Sequence, residues 1–195
     1  MQLATTTVPD TARQILALSR WTVGHQTFHL YLVAMITLLE ELTECPSLSD
    51  EHIATRLSDL AVLFEATAAS MRYASSFDAA TYDQAIRPSM APPVTKPGFS
   101  GSLSTEHKRM MAALVSVPDT LEERFGNETS PWPSAVADAW CTLVEAEREA
   151  RSNHAHVCRR LVPRGPSLLR MHMAGSGALK VAGDKTPSER IDTNG

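Results

Sequence analysis

The sequence contains no apolar run close to the roughly 20 residues that a membrane-spanning helix needs. The longest such stretch runs from Leu30 to Leu39 and is followed by two acidic residues, Glu40 and Glu41. No basic region followed by an apolar segment stands at the N-terminus, so we expect no secretory signal. These absences predict a cytoplasmic protein that does not interact with a membrane.

Cysteine is scarce, since the chain has only Cys45, Cys141 and Cys158. This odd number argues against a disulfide framework and fits a reducing compartment. The sequence has no Cys-x-x-Cys pair for a zinc ribbon and no Cys-x-x-Cys-His for ordinary covalent haem attachment. With a net charge of -4 and scattered basic residues, nothing indicates binding to nucleic acid.

Strand patterns and internal repeats are also missing, whereas apolar residues recur at helical spacing. A chain of 195 residues suits one domain with a sizeable core. We therefore predict an all-α helical domain over residues 1–165. Residues 166–195 are rich in Gly, Ser, Lys and Asp, which predicts a flexible C-terminal tail or lid.

Apolar spacing and capping residues predict where the helices lie. The predicted ranges are 11–44, 49–75 (with Ser47 or Ser49 as the cap), 79–86, 104–117, a shorter helix after Pro118, and 133–161. Pro88 is expected to end the short third helix. Residues 87–101 contain four prolines and two glycines, so we expect an irregular loop of the kind that is often functional.

His25 lies in the apolar stripe of the first helix, between Trp21 and Phe28. A histidine there must be buried with a hydrogen-bond partner or must face a cavity. A satisfied core histidine is one interpretation. Direct binding of a metal ion together with His29 is another, although the Glu of the metalloprotease pattern His-Glu-x-x-His is missing.

His154 and Cys158 lie four residues apart near the end of the last helix, so they share one face. This arrangement suits a haem, because the imidazole can ligate the iron while the thiol reaches the edge of the macrocycle. A zinc ion would need two further ligands, and the sequence offers no obvious set. The alternative is a histidine that interacts with the helix dipole beside an inert cysteine.

Arg87 stands at the mouth of the irregular loop, where a guanidinium can grip a carboxylate at two points. A surface arginine without a ligand is the alternative interpretation. Tyr82 precedes it on the short helix, and Ser100 offers a hydroxyl donor within the loop.

In this order, the candidate residues resemble the motifs of tryptophan 2,3-dioxygenases, which belong to the haem-dependent aromatic oxygenase superfamily. Trp21, His25 and Gln26 resemble the distal helix, in which an aromatic residue precedes a His-Gln pair by four positions. His154 and Arg160 resemble the proximal helix, in which an arginine follows the axial histidine by six positions.

The segment from Tyr82 to Arg87, followed by Gly98-Phe99-Ser100, resembles the substrate-binding segment of the same enzymes. His154-x-x-x-Cys158 resembles the haem motif of one branch, typified by a 3-methyltyrosine hydroxylase, which has an axial histidine and a single thioether. Two features depart from the dioxygenases: Tyr82 and Arg87 are five positions apart rather than four, and the glycine-rich lid is reduced to Gly175-Ser176-Gly177. These departures favour a divergent hydroxylase or peroxygenase over tryptophan cleavage.

The resemblance implies a helical bundle of the tryptophan 2,3-dioxygenase-like type, with haem between the helices. His154 is then the axial ligand of the iron, with Cys158 as the thioether. His25 is the distal residue, which moves protons or binds the iron as a sixth ligand at rest. Arg87 orients the substrate through its carboxylate. Further residues are implied as contacts of the haem (Trp21, Arg160) and of the substrate (Tyr82, Phe28, Ser100).

The function implied is that of a haem-dependent oxygenase or hydroxylase acting on an aromatic amino acid or derivative. Hydrogen peroxide or dioxygen is the oxidant, and by analogy with the family we expect a homo-oligomer, a dimer or tetramer. Tryptophan, tyrosine, an indole and a modified amino acid all remain open as substrates. Two alternatives are a haem sensor or electron carrier with two histidine ligands, and a helical interaction domain without a cofactor.

Overall fold

The structure is a computed structural model that describes residues 10–45, 47–90, 94, 104–126 and 132–162. These residues form helices and no strand, so the prediction of an all-α protein is confirmed for them. The elements are α1 (Asp10–Glu44), α2 (Asp50–Ala74), α3 (Ala79–Thr81), a π-helical turn (Tyr82–Ile86), α4 (Arg87–Ser89), α5 (Thr105–Phe125) and α6 (Ser134–Leu161). The tail predicted over residues 166–195 lies outside the described residues.

The four long helices share one apolar core. α1 packs against α2 and α5, while α2 also packs against α6. α1 and α2 run in opposite directions, since Gly24 contacts Ala74 near one end and Glu41 pairs with Arg56 towards the other. All four helices contribute fully buried side chains: Met35, Leu39, Leu57, Leu60, Val117 and Leu143.

Serine side chains begin two of the long helices at the predicted places. The hydroxyl of Ser49 accepts a hydrogen bond from the backbone N–H of His52, and that of Ser104 accepts one from His107. Such caps satisfy N–H groups that have no partner within the helix. The predicted starts of α2 and α5 are therefore confirmed, with Ser49 rather than Ser47 as the cap of α2.

The predicted break at Pro118 is wrong, because α5 continues through this residue. Val117 and Leu121, on either side of it in the sequence, are buried in the core. Burying two such side chains stabilises the helix by about 1.5–3 kcal/mol each. This gain offsets the roughly 3 kcal/mol that a proline inside a helix costs.

The predicted helix end before Pro88 is also wrong, since the chain remains helical to Ser89. Within the π-helical turn, the backbone N–H of Arg87 donates to the carbonyl oxygen of Tyr82, five residues earlier. Pro88 then falls in the first turn of α4, where its missing N–H is tolerated. Most of the predicted irregular loop lies outside the described residues.

Two further observations concern the described helices and the cysteine thiols. None of these helices is long and apolar enough to cross a bilayer. Cys45, Cys141 and Cys158 are all free and exposed, as expected for a chain without a disulfide framework.

Candidate active site

His25 is a half-buried residue of α1 whose imidazole is fixed by Trp21, one turn earlier. Its Nδ1 lies 2.8 Å from the carbonyl oxygen of Trp21, and the two ring centroids are 3.9 Å apart. A carbonyl oxygen only accepts hydrogen bonds, so Nδ1 must carry the proton. The ring therefore has a defined orientation, with Nε2 as its basic nitrogen.

α1 and α2 approach each other closely beside this histidine. A Cβ atom on Gly24 would lie only 2.4 Å from the Cβ of Ala74 and 2.9 Å from its Cα. A side chain larger than hydrogen is therefore incompatible with the observed packing. Gly24 thus sets the distance between the two helices and, with it, the positions of Trp21 and His25.

α6 carries His154 and Cys158 on one exposed face, as predicted from their spacing. The Sγ of Cys158 lies 3.5 Å from Nε2 of His154. One residue before the histidine, the side-chain amide of Asn153 donates a hydrogen bond of 3.2 Å to the carbonyl oxygen of Ala68 on α2. This bond fixes α6 against α2 immediately beside His154.

Arg160, near the end of α6, contacts the segment that follows α2. Its guanidinium donates to the carbonyl oxygens of Ser75 and Phe77, the second at 2.6 Å. Carbonyl groups at the end of a helix lack partners within that helix, so a basic side chain is well placed there. Arg160 thus positions the turn of α6 that carries Cys158, while its predicted contact with haem stays a prediction.

Three histidines on different helices have lowered pKa values: His25 on α1, His107 on α5 and His154 on α6. Burial lowers the pKa of all three below the usual range, and His154 lowers that of His25 and His107 further. The hydrogen bond to Trp21 partly opposes the lowering at His25. All three imidazoles are therefore neutral at neutral pH, the state in which histidine binds a metal.

His154 has this lowered pKa although its side chain is largely exposed to solvent. Atoms around the imidazole reduce its hydration without fully covering it. The imidazole of His154 is therefore neutral and still accessible to a ligand from outside the protein.

His107 is the member of this group that the sequence did not reveal. It is half-buried in the first turn of α5, three residues before Met110, which is buried in the core. Residues three apart lie on neighbouring turns of one face, so this spacing was the available signal. The influence of His154 on it depends on how α5 and α6 pack, which the sequence does not display.

Tyr82 of the π-helical turn is influenced electrostatically by Cys158 and by a pair of opposite charges, Asp83 and Arg87. Tyr82 is buried, which raises the pKa of its hydroxyl; Arg87 lowers this pKa, while Cys158 and Asp83 raise it. Electrostatic influence of this kind requires proximity, so the hydroxyl lies near all three groups. The additional residue between Tyr82 and Arg87, relative to the dioxygenases, falls within this turn. Single π-helical turns occur frequently at functional sites.

Phe28 and Ser100 are the two other predicted substrate contacts. Phe28 is partly buried and packs against the apolar core, and Ser100 lies outside the described residues.

His29 acts on Glu106, whose pKa it helps to lower. Among the described residues, no three His, Cys, Asp or Glu side chains are grouped so that they could hold a metal ion. The alternative of a metal ion bound directly by His25 and His29 therefore has no third ligand in the described part of the chain.

A comparison with known families decides the class of the protein. The sequence model of the family SfmD 3-methyl-L-tyrosine peroxygenase matches residues 3–139. The chain belongs to this family. Peroxygenases are oxidoreductases that use a peroxide as oxidant, so the chain is an enzyme of that class. No curated protein and no solved structure matches it.

The match to the peroxygenase family includes α1 to α5 and ends within α6, before His154 and Cys158. His25, Arg87 and His107 lie inside the matched range. The expectation of an enzyme that oxidises a tyrosine derivative is confirmed at the level of the family, whereas the sensor or electron carrier is not favoured. The wider likeness to tryptophan 2,3-dioxygenases stays a prediction.

Proposed function

We propose that the chain is a haem-dependent peroxygenase that hydroxylates 3-methyl-L-tyrosine or a close tyrosine derivative with hydrogen peroxide. The observation that carries the proposal is the contact between His154 and Cys158 in a chain of the peroxygenase family. Membership of that family favours peroxide over dioxygen as the oxidant. It equally favours a tyrosine derivative over tryptophan or an indole as the substrate.

The side chains of α6 fit a haem in their chemistry. His154 would hold the haem iron through its neutral imidazole, and Cys158 would supply a thiol that can add to a vinyl group as a thioether. Both side chains are exposed on one face of the helix, with Nε2 and Sγ only 3.5 Å apart, so both can contact one macrocycle. When bound, the haem supplies the activation of peroxide and the oxidation of the aromatic ring.

His25 would act as the proton carrier of the site. Its Nδ1–H is held by the carbonyl oxygen of Trp21, which leaves Nε2 as the atom that accepts a proton from peroxide and returns it. Burial lowers the pKa of His25, so this base remains unprotonated at neutral pH. His107 on α5 adds a second neutral imidazole, whose pKa His154 lowers further after burial.

Arg87 and Tyr82 bind the substrate. Arg87 holds the carboxylate of the amino acid, and the buried side chain of Tyr82, on which Arg87 and Cys158 both act electrostatically, contacts the substrate beside it. Trp21 and Phe28 contribute apolar contacts, and Ser100 a hydroxyl. Fixing the carboxylate at the π-helical turn directs the aromatic ring towards the haem, which raises the frequency of productive encounters.

Replacing Cys158 by alanine should make the haem extractable with acidic organic solvent, because the thioether is lost. The wild-type protein should keep its haem under the same treatment and show the combined mass of chain and haem after denaturation. Cys141→Ala, which removes another exposed thiol of α6, is the matched control and should behave like the wild type. Complete extraction of haem from the wild type would contradict the thioether.

Replacing Arg87 by leucine should weaken substrate binding about 10- to 100-fold, since a hydrogen bond to a charged group contributes about 1.5–3 kcal/mol. Haem content should not change, because Arg87 contacts the substrate rather than the iron. Calorimetric titration with 3-methyl-L-tyrosine measures the first effect and the absorbance spectrum the second. The control is Arg148→Leu, at an exposed position of α6. Equal substrate affinity in Arg87→Leu and the wild type would remove the proposed role.

A spectral titration of the haem-loaded protein tests the proposed function as a whole. We expect the absorbance spectrum to change on addition of 3-methyl-L-tyrosine and, separately, of cyanide. A low-spin spectrum that responds to neither of these ligands nor to peroxide would favour the sensor or electron carrier. A colourless protein, purified after expression with ample haem, would favour the interaction domain without a cofactor.

A further inference from the structure

Asp83 and Arg87 form a pair of opposite charges on the π-helical turn. Nη1 of Arg87 lies 3.6 Å from Oδ1 of Asp83, and the two side chains are 29% and 60% exposed, respectively. This separation is longer than a hydrogen bond, so the carboxylate keeps its capacity to accept from another donor. The aspartate was not among the candidate residues of the sequence, and the proposed function gives it no role.

We propose that Asp83 binds the α-ammonium group of the amino-acid substrate while Arg87 binds its α-carboxylate, so that the pair recognises the zwitterion. This inference rests on the proposed function and deepens it. It makes Asp83 a residue that determines specificity, because it selects α-amino acids over phenols and aromatic acids that lack the amino group.

The spacing of the pair matches the substrate's polar end. In an α-amino acid the nitrogen and the carboxyl carbon are attached to the same Cα and lie about 2.5 Å apart. Two protein groups of opposite charge 3.6 Å apart can therefore each contact the complementary substrate group at the same time. The substrate would bind with its ammonium group beside Asp83 and its carboxylate beside Arg87.

The local backbone explains how the charged pair is held near the surface beside the buried Tyr82. Tyr82 and Ile86 are buried and anchor the π-helical turn in the protein, whereas Asp83 and Arg87 are one position further on and more exposed. The hydroxyl of Tyr82 lies near both charges and near Cys158. A substrate whose polar end is bound by the pair can thus lay its aromatic ring along Tyr82 towards Cys158.

The energy of the existing ion pair favours such an exchange of partners. A partly exposed pair of this type contributes little to stability, so little is lost when substrate groups separate or share its charges. By contrast, a bound substrate shields both groups from water, and hydrogen bonds to charged groups then contribute more than the original ion pair.

The experiment compares two ligands of the haem-loaded protein by calorimetric titration. One is 3-methyl-L-tyrosine, and the other is its des-amino analogue, which keeps the ring and the carboxylate but has hydrogen in place of the ammonium group. Asp83→Asn should bind the amino acid at least about 10-fold more weakly, which corresponds to 1.4 kcal/mol. Its affinity for the des-amino analogue should equal that of the wild type. Asp83→Glu, which keeps the charge, should recover part of the lost affinity and remains informative if Asp83→Asn does not fold.

Glu147→Gln provides the matched control, because it removes the carboxylate of another ion pair between residues four apart, with Arg151 on α6. This variant should bind both ligands like the wild type. Unchanged affinity of Asp83→Asn for the amino acid, or an equal loss for both ligands, would overturn the inference and leave Arg87 and the proposed function standing. A wild-type protein that binds neither ligand would overturn the proposed function, and this inference with it.

Discussion

Replacing His154 by alanine should weaken haem binding by more than about 100-fold. Changes to residues that only orient a metal ligand already cost about 10- to 100-fold in metal affinity, and this substitution removes the ligand itself. No thioether should rescue the variant, because Cys158 can react with a vinyl group only after the haem is held beside it. The ratio of haem absorbance to protein in the purified variant measures the effect.

His156→Ala is the matched control for this prediction. His156 is exposed on the same helix, two residues further on, and therefore points away from the side of His154 and Cys158. It should keep the haem content and the spectrum of the wild type, while circular dichroism shows that both variants remain helical. Full haem occupancy with an unchanged spectrum in His154→Ala would show that the axial ligand lies elsewhere.

Replacing Gly24 by alanine should destabilise the protein, although alanine is the better helix former. Alanine normally stabilises a helix by about 1 kcal/mol relative to glycine. Here its Cβ would lie 2.4 Å from the Cβ of Ala74, and overpacking of this kind costs about 1–3 kcal/mol. Because α1 must move away from α2, we also expect haem binding to weaken through the displacement of Trp21 and His25. Chemical unfolding and haem titration measure the two effects.

A second substitution tests this explanation. Ala74→Gly alone should be destabilising, since it places glycine near the end of α2 and removes a buried methyl group. Combined with Gly24→Ala, it makes room for the new methyl group, so the pair should be more stable than the sum of the single effects predicts. Ala34→Val, at an exposed position of α1, is the control for added volume. Simple additivity in the double variant would contradict the close contact as the cause.

Local signals were sufficient to predict most helix boundaries. Ser49 and Ser104 cap their helices because a serine hydroxyl satisfies a free N–H, and this preference needs no information from the rest of the fold. The predicted helix breaks at Pro118 and Pro88 are wrong, because the chain stays helical at both prolines despite their local preference for a break. At Pro118 the burial of Val117 opposes the break, and the sequence does not show which helix provides the surrounding core.

In the candidate site, too, relations within one helix could be predicted from the sequence, whereas relations between separate helices could not. His154 and Cys158 could be paired from the sequence because four residues within one helix fix their relation. The influence of His154 on His107 could not be predicted from the sequence, because it depends on how separate helices pack. Asp83 was missed for another reason: its relation to Arg87 and Tyr82 depends on a π-helical turn, which apolar periodicity does not indicate.

The most direct test of the central claim is the analysis of the reaction product. Haem-loaded protein is mixed with 3-methyl-L-tyrosine and hydrogen peroxide labelled with heavy oxygen, and the product is identified by mass spectrometry. A peroxygenase transfers oxygen from the peroxide, so we predict a ring-hydroxylated product that contains one labelled oxygen atom, and no such product from His154→Ala. Unchanged substrate from fully haem-loaded wild-type protein, or a product whose new oxygen is unlabelled, would contradict the account.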